Sequence, residues 1–299
     1  MTMTKLNKIL VTGSGGQLGQ SIRAIAEDHP DYEFVFADRQ QLDLSNEASV
    51  DDFFKHQTFD IIINCAAYTA VDKAESEPEL ANQINHFAVQ QLANMAKQQS
   101  ATFIHISTDY VFNGKGYRPY LETDSVDSQC VYGQSKLSGE QAIQNTLKNN
   151  AIIIRTSWMY SEYGDNFVKT MLKLGQERDS LNVIFDQVGT PTYAKDLAKA
   201  IMSILQGRVF KQPDFTTSII HFSNEGVCSW YDFAKTIFEL ANIQCLVCPI
   251  ETKDYPTSAK RPHYSVLNKT RIKKTYHLAV PYWKDSLKQC VTALQNKAS

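Results

Sequence analysis

A tyrosine and a lysine stand four residues apart in the segment V-Y-G-Q-S-K, residues 131–136. On a helix this spacing places two side chains on one face, so the phenol of Tyr132 and the ammonium of Lys136 would lie side by side. The positive charge would favour the phenolate and lower the pKa of Tyr132 below its ordinary value of about 10. A phenol tuned in this way can exchange a proton with a carbonyl or an alcohol.

A hydroxyl group from a different part of the chain could join this pair. Thr108 ends an apolar run in the segment I-S-T-D-Y-V-F and could hold the same oxygen atom as Tyr132. A tyrosine and a lysine at this spacing are also common on the surface of amphipathic helices. The chemistry therefore depends on what the preceding elements place beside these residues.

The first of these elements is a glycine-rich turn between a strand and a helix. The apolar run 8–11 is followed by glycines at 13, 16 and 19, with Gly15 giving an overlapping G-x-G, and by a helical pattern over 17–27. Such glycines permit a tight turn, and the helix N-terminus can face a pyrophosphate. Gly13, Gly16 and Gly19 thus predict a dinucleotide site, although a glycine turn without a ligand is the alternative.

The next strand, 33–37, ends in a pair of charged residues. Asp38 follows Gly19 by 19 residues, close to the spacing at which an acidic residue meets the adenosine ribose. This spacing favours NAD, whereas Arg39 could meet the 2′-phosphate of NADP, so the preference stays open. Asp43 could approach the adenine or be an ordinary turn carboxylate.

Two further strands and a long helix follow. The apolar run 60–66 ends in small residues, against which a cofactor could lie. The pattern over 80–98 predicts one amphipathic helix, on which Asn85 could bond into the site or lie on the surface. In the strand 102–106, His105 alternates with apolar neighbours and is interpreted as a packed histidine.

The order of these elements predicts an α/β fold with a doubly wound parallel (Rossmann) sheet. We assign residues 1–157 to the dinucleotide-binding domain, to which some later segments return. Residues 158–299 form mainly a smaller C-terminal substrate-binding cap. The candidate binding and catalytic residues all fall at the carboxyl edge of the predicted strands, where ligands of such sheets bind.

The composition argues against several function classes. The chain has 299 residues, 43% of them hydrophobic, and a formal net charge of −2 without a basic stripe, so we expect no nucleic-acid partner. Residues 1–8 are polar and no apolar run is long enough to span a membrane, so a cytoplasmic protein is expected. Six cysteines do not resemble a disulfide framework, and Cys245-x-x-Cys248 lacks nearby metal ligands.

With these motifs in hand, the chain resembles the extended short-chain dehydrogenase/reductases, and within them the reductases of dTDP-4-keto-6-deoxysugars. The matching stretches cover most of the chain and are A-A-Y-T-A-V-D-K-A-E-S-E-P (66–78), S-T-D-Y-V-F-N-G (107–114), V-Y-G-Q-S-K-L-S-G-E (131–140), R-T-S-W-M-Y (155–160), D-Q-V-G-T-P-T (186–192) and S-A-K-R-P (258–262).

The resemblance implies a role for each matching residue. Tyr132 would be the general acid that protonates the C4 keto oxygen, Lys136 would hold the nicotinamide ribose and tune Tyr132, and Thr108 would bond the reacting oxygen. The residues that resemble the family's cofactor wall are Gly16, Gln17, Leu18, Asp38, Asp43, Leu44, Ala67, Tyr68 and Thr69. Those at substrate-contacting positions are Thr108, Asp109, Trp158 and Arg261.

Two of the substrate residues have alternatives. A guanidinium suits phosphate, so Arg261 would meet the substrate diphosphate, but it could be a surface arginine. Trp158 could equally be core packing. Relatives that dehydrate nucleotide sugars usually have Asp-Glu after the threonine, whereas this chain has Asp109 followed by Tyr110. The missing carboxylate favours simple carbonyl reduction.

The implied activity is reduction of a dTDP-linked 4-keto sugar with NADPH or NADH, in nucleotide-sugar biosynthesis for a cell-surface polysaccharide such as lipopolysaccharide O-antigen. One alternative is a non-enzymatic NADP-binding subunit, like the regulatory subunit of methionine adenosyltransferase. Another is a nucleotide-sugar epimerase. A homodimer is compatible with the resemblance. Some family members bind a metal ion between subunits, but no ligand spacing predicts a metal here.

Overall fold

The computed structural model describes residues 6–207, 212 and 215–298, so residues 1–5 of the polar N-terminal segment lie outside it. The strands are β1 (Asn7–Thr12), β2 (Tyr32–Ala37), β3 (Ile61–Asn64), β4 (Thr102–Thr108), β5 (Ala151–Thr156), β6 (Met159–Tyr160), β7 (Ser180–Ile184), β8 (Val188–Gly189), β9 (Thr192–Tyr193), β10 (Ser218–His221), β11 (Cys228–Ser229) and β12 (Leu246–Ile250).

The helices occupy the intervals between most of these strands. They are α1 (Gln17–Arg23), α2 (Glu47–Lys55), α3 (Val71–Ala74), α4 (Pro78–Asn82), α5 (Ala88–Gln99), α6 (Val131–Thr146), α7 (Phe167–Glu177), α8 (Ala194–Gln206), α9 (Trp230–Ala241), α10 (Thr270–Tyr276) and α11 (Trp283–Ala298). Short 3-10 turns lie at Ala26–Asp28, Asp109–Val111 and Thr252–Asp254, and a π-helical turn at Gln83–Phe87.

Six strands form a parallel sheet in the order β10-β5-β4-β3-β1-β2. All four residues of β3 are buried, because one face of the sheet packs against α1 and α8 and the other against α2, α5 and α6. Apolar side chains fill both layers, which favours a strand that is hydrophobic throughout. The predicted doubly wound α/β fold is confirmed.

The second half of the chain contributes both to this sheet and to a separate core. The edge strand β10 pairs with β5, and α8 packs against α1. The other core is built largely from α7, α9 and α11, with Phe233 and Trp283 buried between them. Residues 158–159 and 164–166 of this second half lie beside the carboxyl ends of the sheet strands.

The predicted continuous helix over 80–98 differs from the structure in its middle. Helices α4 and α5 are joined by a π-helical turn, Gln83–Phe87, in which one extra residue widens the backbone. Such insertions often mark functional positions. Here the widened turn carries Asn85 inward, where it is fully buried.

Candidate active site

A cleft of about 1010 Å³ lies across the carboxyl ends of the sheet strands. Most of the residues predicted to bind cofactor or substrate line it, and they come from the glycine turn, the ends of β2, β3 and β4, helix α6 and the segment after β5. The predicted residues among them are Gly13, Gly16, Gln17, Leu18, Asp38, Arg39, Asp43, Leu44, Ala67, Tyr68, Thr69, Thr108, Asp109, Tyr132, Lys136 and Trp158. Gly19 and Arg261 are not part of the lining.

The glycine turn has the geometry that a close-lying ligand requires. Gly13 has a φ of +62°, and a Cβ there would lie 2.7 Å from the backbone of Ala66. The backbone N–H of Gly16 donates to the carbonyl of Gly13 at 2.9 Å, and a Cβ on Gly19 would lie 2.5 Å from the same carbonyl. Gly15 faces open space. These residues fit a dinucleotide, which needs close approach to the backbone at a helix N-terminus.

The charged residues after β2 are engaged mainly in their own turn. Asp38 accepts hydrogen bonds from the backbone N–H groups of Gln40 and Gln41. Arg39 is largely exposed and lies 3.6 Å from Asp43. The guanidinium is therefore free to move toward a 2′-phosphate, and neither cofactor is excluded by this geometry.

Asn85 organises the opposite wall of the cleft. Its side chain bonds both the backbone N–H and the carbonyl of Tyr68, at 2.9 and 3.1 Å, and donates to the Ser135 hydroxyl at 3.0 Å. A Cβ on Gly139 would lie 2.2 Å from the Asn85 carbonyl. Asn85 thus fixes the segment that contains three predicted cofactor residues, which excludes the surface alternative.

Tyr132 and Thr108 are brought together by the packing of α6 on the turn after β4. Gly133 makes this possible, since a Cβ there would lie 2.3 Å from the carbonyl of Tyr110. The Thr108 hydroxyl is near enough to the phenol of Tyr132 to stabilise a phenolate by hydrogen bonding. Tyr110 packs edge-on against the Tyr132 ring, with centroids 5.5 Å apart.

The expectation that Lys136 lowers the pKa of Tyr132 is wrong in this structure. Burial raises the pKa of the phenol, and the hydrogen bond from Thr108 only partly opposes that rise. Lys136 is directed elsewhere: its Nζ donates to the carbonyl of Ile106 at 2.6 Å and lies 3.2 Å from Nε2 of His105. The i, i+4 spacing places both residues on one face but does not bring their polar ends together.

Asp109 is buried beside Thr108, and only one of its carboxylate oxygens has a hydrogen-bond partner among the described residues. Its Oδ1 accepts the Thr108 hydroxyl at 3.0 Å, whereas Oδ2 makes no hydrogen bond to any described residue. Burial raises the pKa of Asp109 to about 6, although the nearby Ser265 and Thr108 hydroxyls work against the rise. A buried carboxylate that lines a cleft and has one oxygen without a partner is a candidate for ligand binding.

Trp158 both lines the cleft and packs within the protein. Its ring stacks on Trp230 with centroids 3.6 Å apart, and its backbone φ is +46°. This left-handed conformation is unfavourable for a large side chain. A Cβ on Gly189 would lie 2.8 Å from the indole, so the close approach of Gly189 supports the ring from behind.

Arg261 lies outside the cleft lining and is paired with Asp72. Two of its nitrogens donate to the Asp72 carboxylate at 2.9 and 2.6 Å. The side chains of Arg261 and Asp72 are 23% and 43% exposed, so the pair is accessible to solvent. The structure does not place Arg261 among the other substrate residues.

A connection through Gln17 was missed from the sequence. Gln17 Oε1 accepts hydrogen bonds from Ser161 at 3.0 Å and Asn166 at 3.1 Å, and its Nε2 donates to the Met159 carbonyl at 3.4 Å. The glycine turn is thereby tied to the loop that begins α7, where Asn166 is the N-cap. The one sequence signal for this contact is the amide side chain of Gln17, which lies between Gly16 and Gly19 of the glycine motif.

The remaining sequence features lie away from the cleft. Cys245 and Cys248 are free thiols at the strand β12. Within the described ranges, no group of three or more His, Cys, Asp or Glu residues is placed to hold a metal ion. None of the helices among the described residues has the length and apolar character needed to cross a membrane.

Comparison with known proteins gives a consistent picture. A family model described as the RmlD substrate binding domain matches residues 7–296. The dTDP-4-dehydrorhamnose reductase of Aggregatibacter actinomycetemcomitans is 42% identical over 287 residues, which cover 94% of this chain and 97% of that protein.

Solved structures agree with the sequence matches. The crystal structure of a dTDP-4-dehydrorhamnose reductase from Clostridium acetobutylicum has a TM-score of 0.90 and 41% identity, covering 96% of this chain and 99% of that one. The Bacillus anthracis dTDP-4-dehydrorhamnose reductase, solved in complex with NADP, has a TM-score of 0.90 and 36% identity, covering 97% and 100%.

Proposed function

The chain belongs to the dTDP-4-dehydrorhamnose reductase family, and we propose that it reduces the C4 keto group of dTDP-4-dehydro-L-rhamnose to give dTDP-L-rhamnose with NADPH or NADH. The observation that carries this proposal is that Tyr132, Thr108 and Lys136 all line one cleft together with the glycine turn. When bound, the dihydronicotinamide supplies the hydride for the reduction.

The proton in this reaction comes from Tyr132. Negative charge grows on the sugar oxygen during reduction, and a hydroxyl that donates to this oxygen stabilises it most in the transition state. Tyr132 would be one donor, and Thr108 would be the other by exchanging its bond to Asp109 Oδ1 for one to the sugar oxygen. A phenol whose pKa is raised by burial keeps its proton until an alkoxide, which is far more basic, develops beside it. The raised pKa therefore suits a general acid in the direction of reduction.

The cofactor would be held by residues that line the cleft. The backbone of Gly13–Gly16 and the N-terminus of α1 would receive the pyrophosphate, and Asp38 or Arg39 would meet the adenosine ribose. Lys136 would hold the nicotinamide ribose. Asn85 supports the segment 67–69 from behind through its two bonds to Tyr68.

The sugar nucleotide would use the residues on the cap side. Asp109 has a free carboxylate oxygen for a sugar hydroxyl, and the stacked Trp158 offers a flat apolar wall. Arg261 would reach the diphosphate by exchanging its bond to Asp72 for one to phosphate, because a guanidinium binds both anions bidentately.

The direct test mixes the protein with dTDP-4-dehydro-L-rhamnose and follows NADPH or NADH absorbance, with a sample lacking the sugar nucleotide as the control. We expect absorbance to fall with at least one cofactor as dTDP-L-rhamnose forms. No loss with either cofactor would overturn the proposal. Cofactor binding without turnover would indicate a regulatory subunit, and sugar isomerisation without net oxidation would indicate an epimerase.

Two further predictions concern the location of the enzyme in the cell and its oligomeric state. The proposed substrate and cofactor are small charged metabolites of the cytoplasm, so we place the enzyme there. Assembly as a homodimer stays a prediction, to be checked by sedimentation of the intact chain.

A further inference from the structure

Residues 161–166, which we call the cap loop, join β6 to α7 and form part of the cleft wall. The last three of them, 164–166, line the cleft together with the glycine turn. The cap loop packs closely on that turn, since a Cβ on Gly164 would lie 3.3 Å from Cγ of Gln17. Because closely packed groups transmit displacement, a movement of one segment displaces the other.

The hydrogen-bonding groups around Asn166 fix the orientation of both amides at this contact. Its Oδ1 accepts the backbone N–H of Lys169, and its NH₂ group donates to the carbonyl of Ser161 at 2.8 Å. The atom of Gln17 that faces this NH₂ group from 3.1 Å must therefore be an acceptor, which is Oε1. The Ser161 hydroxyl donates to the same oxygen at 3.0 Å. Nε2 of Gln17 then donates to the carbonyl of Met159 at 3.4 Å.

The other side of the cap loop is held by the second half of the chain. Lys169 of α7 donates to the carbonyl of Gly164 at 2.7 Å, and the Tyr193 hydroxyl donates to Glu162. Strand β6, immediately before the loop, pairs with β9. Gln17 begins α1 of the sheet domain, so its hydrogen bonds cross from the glycine turn to a segment that the cap holds.

Gln17 also contacts the backbone beside Trp158. The carbonyl that Gln17 Nε2 meets belongs to Met159, the next residue, and Trp158 itself lines the cleft. The φ of Trp158, +46°, is a conformation that persists only where the surroundings maintain it. A side chain that bonds the following peptide therefore helps to hold the indole in place.

We propose that Gln17 is a positioning residue that couples cofactor binding to the substrate wall of the cleft. The inference rests on the proposed function, which puts the dinucleotide on the glycine turn and the sugar nucleotide beside Trp158. With a pyrophosphate bound at Gly16, the backbone that carries the Gln17 side chain is fixed, and the side chain fixes the cap loop. The loop is then ordered once for both ligands, so each ligand strengthens the binding of the other by the same factor.

Hydrogen exchange of the full chain, read by mass spectrometry, tests the coupling with NADP⁺ alone. In the wild type we expect saturating NADP⁺ to slow exchange in peptides covering the cap loop by about 5-fold or more. Gln17→Met keeps the length of the side chain and removes its hydrogen bonds to 159, 161 and 166. NADP⁺ should then change the rate by less than about 2-fold. Equal slowing in the two proteins would overturn the inference, because the loop would respond to the cofactor without Gln17.

Two further variants separate the coupling from damage to the glycine turn. Ser161→Ala/Asn166→Ser removes both donors to Gln17 from the loop side, while the new serine can still cap α7. It should lose the coupling as Gln17→Met does, and it decides the outcome if Gln17→Met does not bind NADP⁺. Gln20→Met is the control, because Gln20 Nε2 bonds the carbonyl of Gly15 within the turn, and it should retain the coupling. Coupling that survives in the double variant, or is lost in Gln20→Met, would contradict the inference.

The substrate side is measured with dTDP, which lacks the sugar that would lie against the nicotinamide. Calorimetric titration gives the Kd for dTDP with and without saturating NADP⁺. In the wild type we expect NADP⁺ to lower this Kd by about 5-fold or more, and in Gln17→Met by less than about 2-fold. The same ratio of Kd values in both proteins would overturn the inference.

Failure of the inference and failure of the proposed function give different results. If the wild type binds NADP⁺ and dTDP independently of each other, the inference fails and the function stands. If the wild type binds neither, the proposed function fails, and exchange in the free chain decides whether Gln17 holds the cap loop. Gln17→Met should then speed exchange of the loop by about 5-fold or more relative to the wild type, and an unchanged rate would overturn the inference.

Discussion

Two buried carboxylates near the cleft, Glu140 and Asp109, differ in how completely their oxygens are hydrogen-bonded. Glu140 is 1% exposed and accepts hydrogen bonds from Arg155 at 2.6 and 2.9 Å and from the Ser107 hydroxyl at 2.5 Å. Asp109 is 2% exposed, accepts the Thr108 hydroxyl, and leaves one oxygen without a partner among the described residues. Burial alone therefore does not distinguish a structural carboxylate from one available to a ligand.

The difference lies in what each carboxylate connects. Glu140 joins helix α6 to two neighbouring strands, since Ser107 lies on β4 and Arg155 on β5. Its pairing holds the helix that carries Tyr132 against the strand that ends at Thr108. Asp109 faces the cleft, where its unsatisfied oxygen costs stability unless a ligand hydroxyl meets it. We infer that Glu140 serves the architecture and Asp109 the substrate.

The largest expected effect is on the paired carboxylate. Glu140→Ala leaves the Arg155 guanidinium buried without its counter-charge, which typically costs about 3–5 kcal/mol of unfolding free energy. Urea denaturation at pH 7 measures this loss. The double variant Glu140→Leu/Arg155→Met removes both charges and should recover most of it. A loss below about 1 kcal/mol in Glu140→Ala would show that the pair does not stabilise the fold.

Asp109→Asn should raise the free energy of unfolding at neutral pH, whereas Glu140→Ala lowers it. Its pKa in the folded protein is about 6, above the value of about 3.9 in the unfolded chain. The native state therefore binds the proton more tightly, and stability falls as pH rises from about 4 to 6. Two pH units correspond to about 2–3 kcal/mol. Relative to the wild type, Asp109→Asn should gain this amount between pH 4 and pH 7.

Denaturation of both proteins at several pH values tests this prediction. Comparing the pH dependence removes any constant effect of the new amide group. A stability difference between Asp109→Asn and the wild type that does not change with pH would mean that Asp109 ionises normally, and the contrast with Glu140 would disappear.

The partly exposed pair Asp72–Arg261 should show the smallest effect on stability, about 1 kcal/mol or less for either partner. For binding of the sugar nucleotide, only the loss of Arg261 should matter. Arg261→Ala is expected to raise the KM for the sugar nucleotide about 10- to 100-fold, since charge-assisted bonds are worth about 1.5–3 kcal/mol. Asp72→Asn leaves the guanidinium available and should not raise KM.

Arg118→Ala is the matched control. Like Arg261, Arg118 is a partly exposed arginine outside the cleft lining and pairs with an aspartate, Asp124, but it is not a predicted substrate residue. Initial rates at varied sugar nucleotide give the three KM values. Equal KM values for Arg261→Ala and Arg118→Ala would remove Arg261 from the substrate site.

Local signals made much of this molecule predictable. The glycines at 13, 16 and 19 and the apolar run before them indicate a strand, turn and helix whose geometry depends on few distant contacts. The four-residue spacing on one helix indicates Tyr132 and Lys136, and Thr108 ends a strand of a parallel sheet, whose carboxyl ends lie at one edge. The fold could be predicted because each unit repeats the same apolar pattern.

What the sequence did not reveal depends on distant packing. The π-helical turn that buries Asn85 packs closely against Gly139 on helix α6, and a side chain at Gly139 would collide with the Asn85 carbonyl. The left-handed backbone of Trp158 depends on its surroundings in the second half of the chain. The pKa of Tyr132 rises because the surrounding protein excludes water, and i, i+4 spacing contains no information about burial.

The central claim is that Tyr132 donates the proton to the sugar oxygen. The most direct measurement compares wild type and Tyr132→Phe in NADPH oxidation driven by dTDP-4-dehydro-L-rhamnose, with NADPH affinity determined separately. We predict that Tyr132→Phe binds NADPH as the wild type does while kcat falls by on the order of 10²- to 10⁴-fold. A kcat within a few-fold of the wild-type value would contradict the claim.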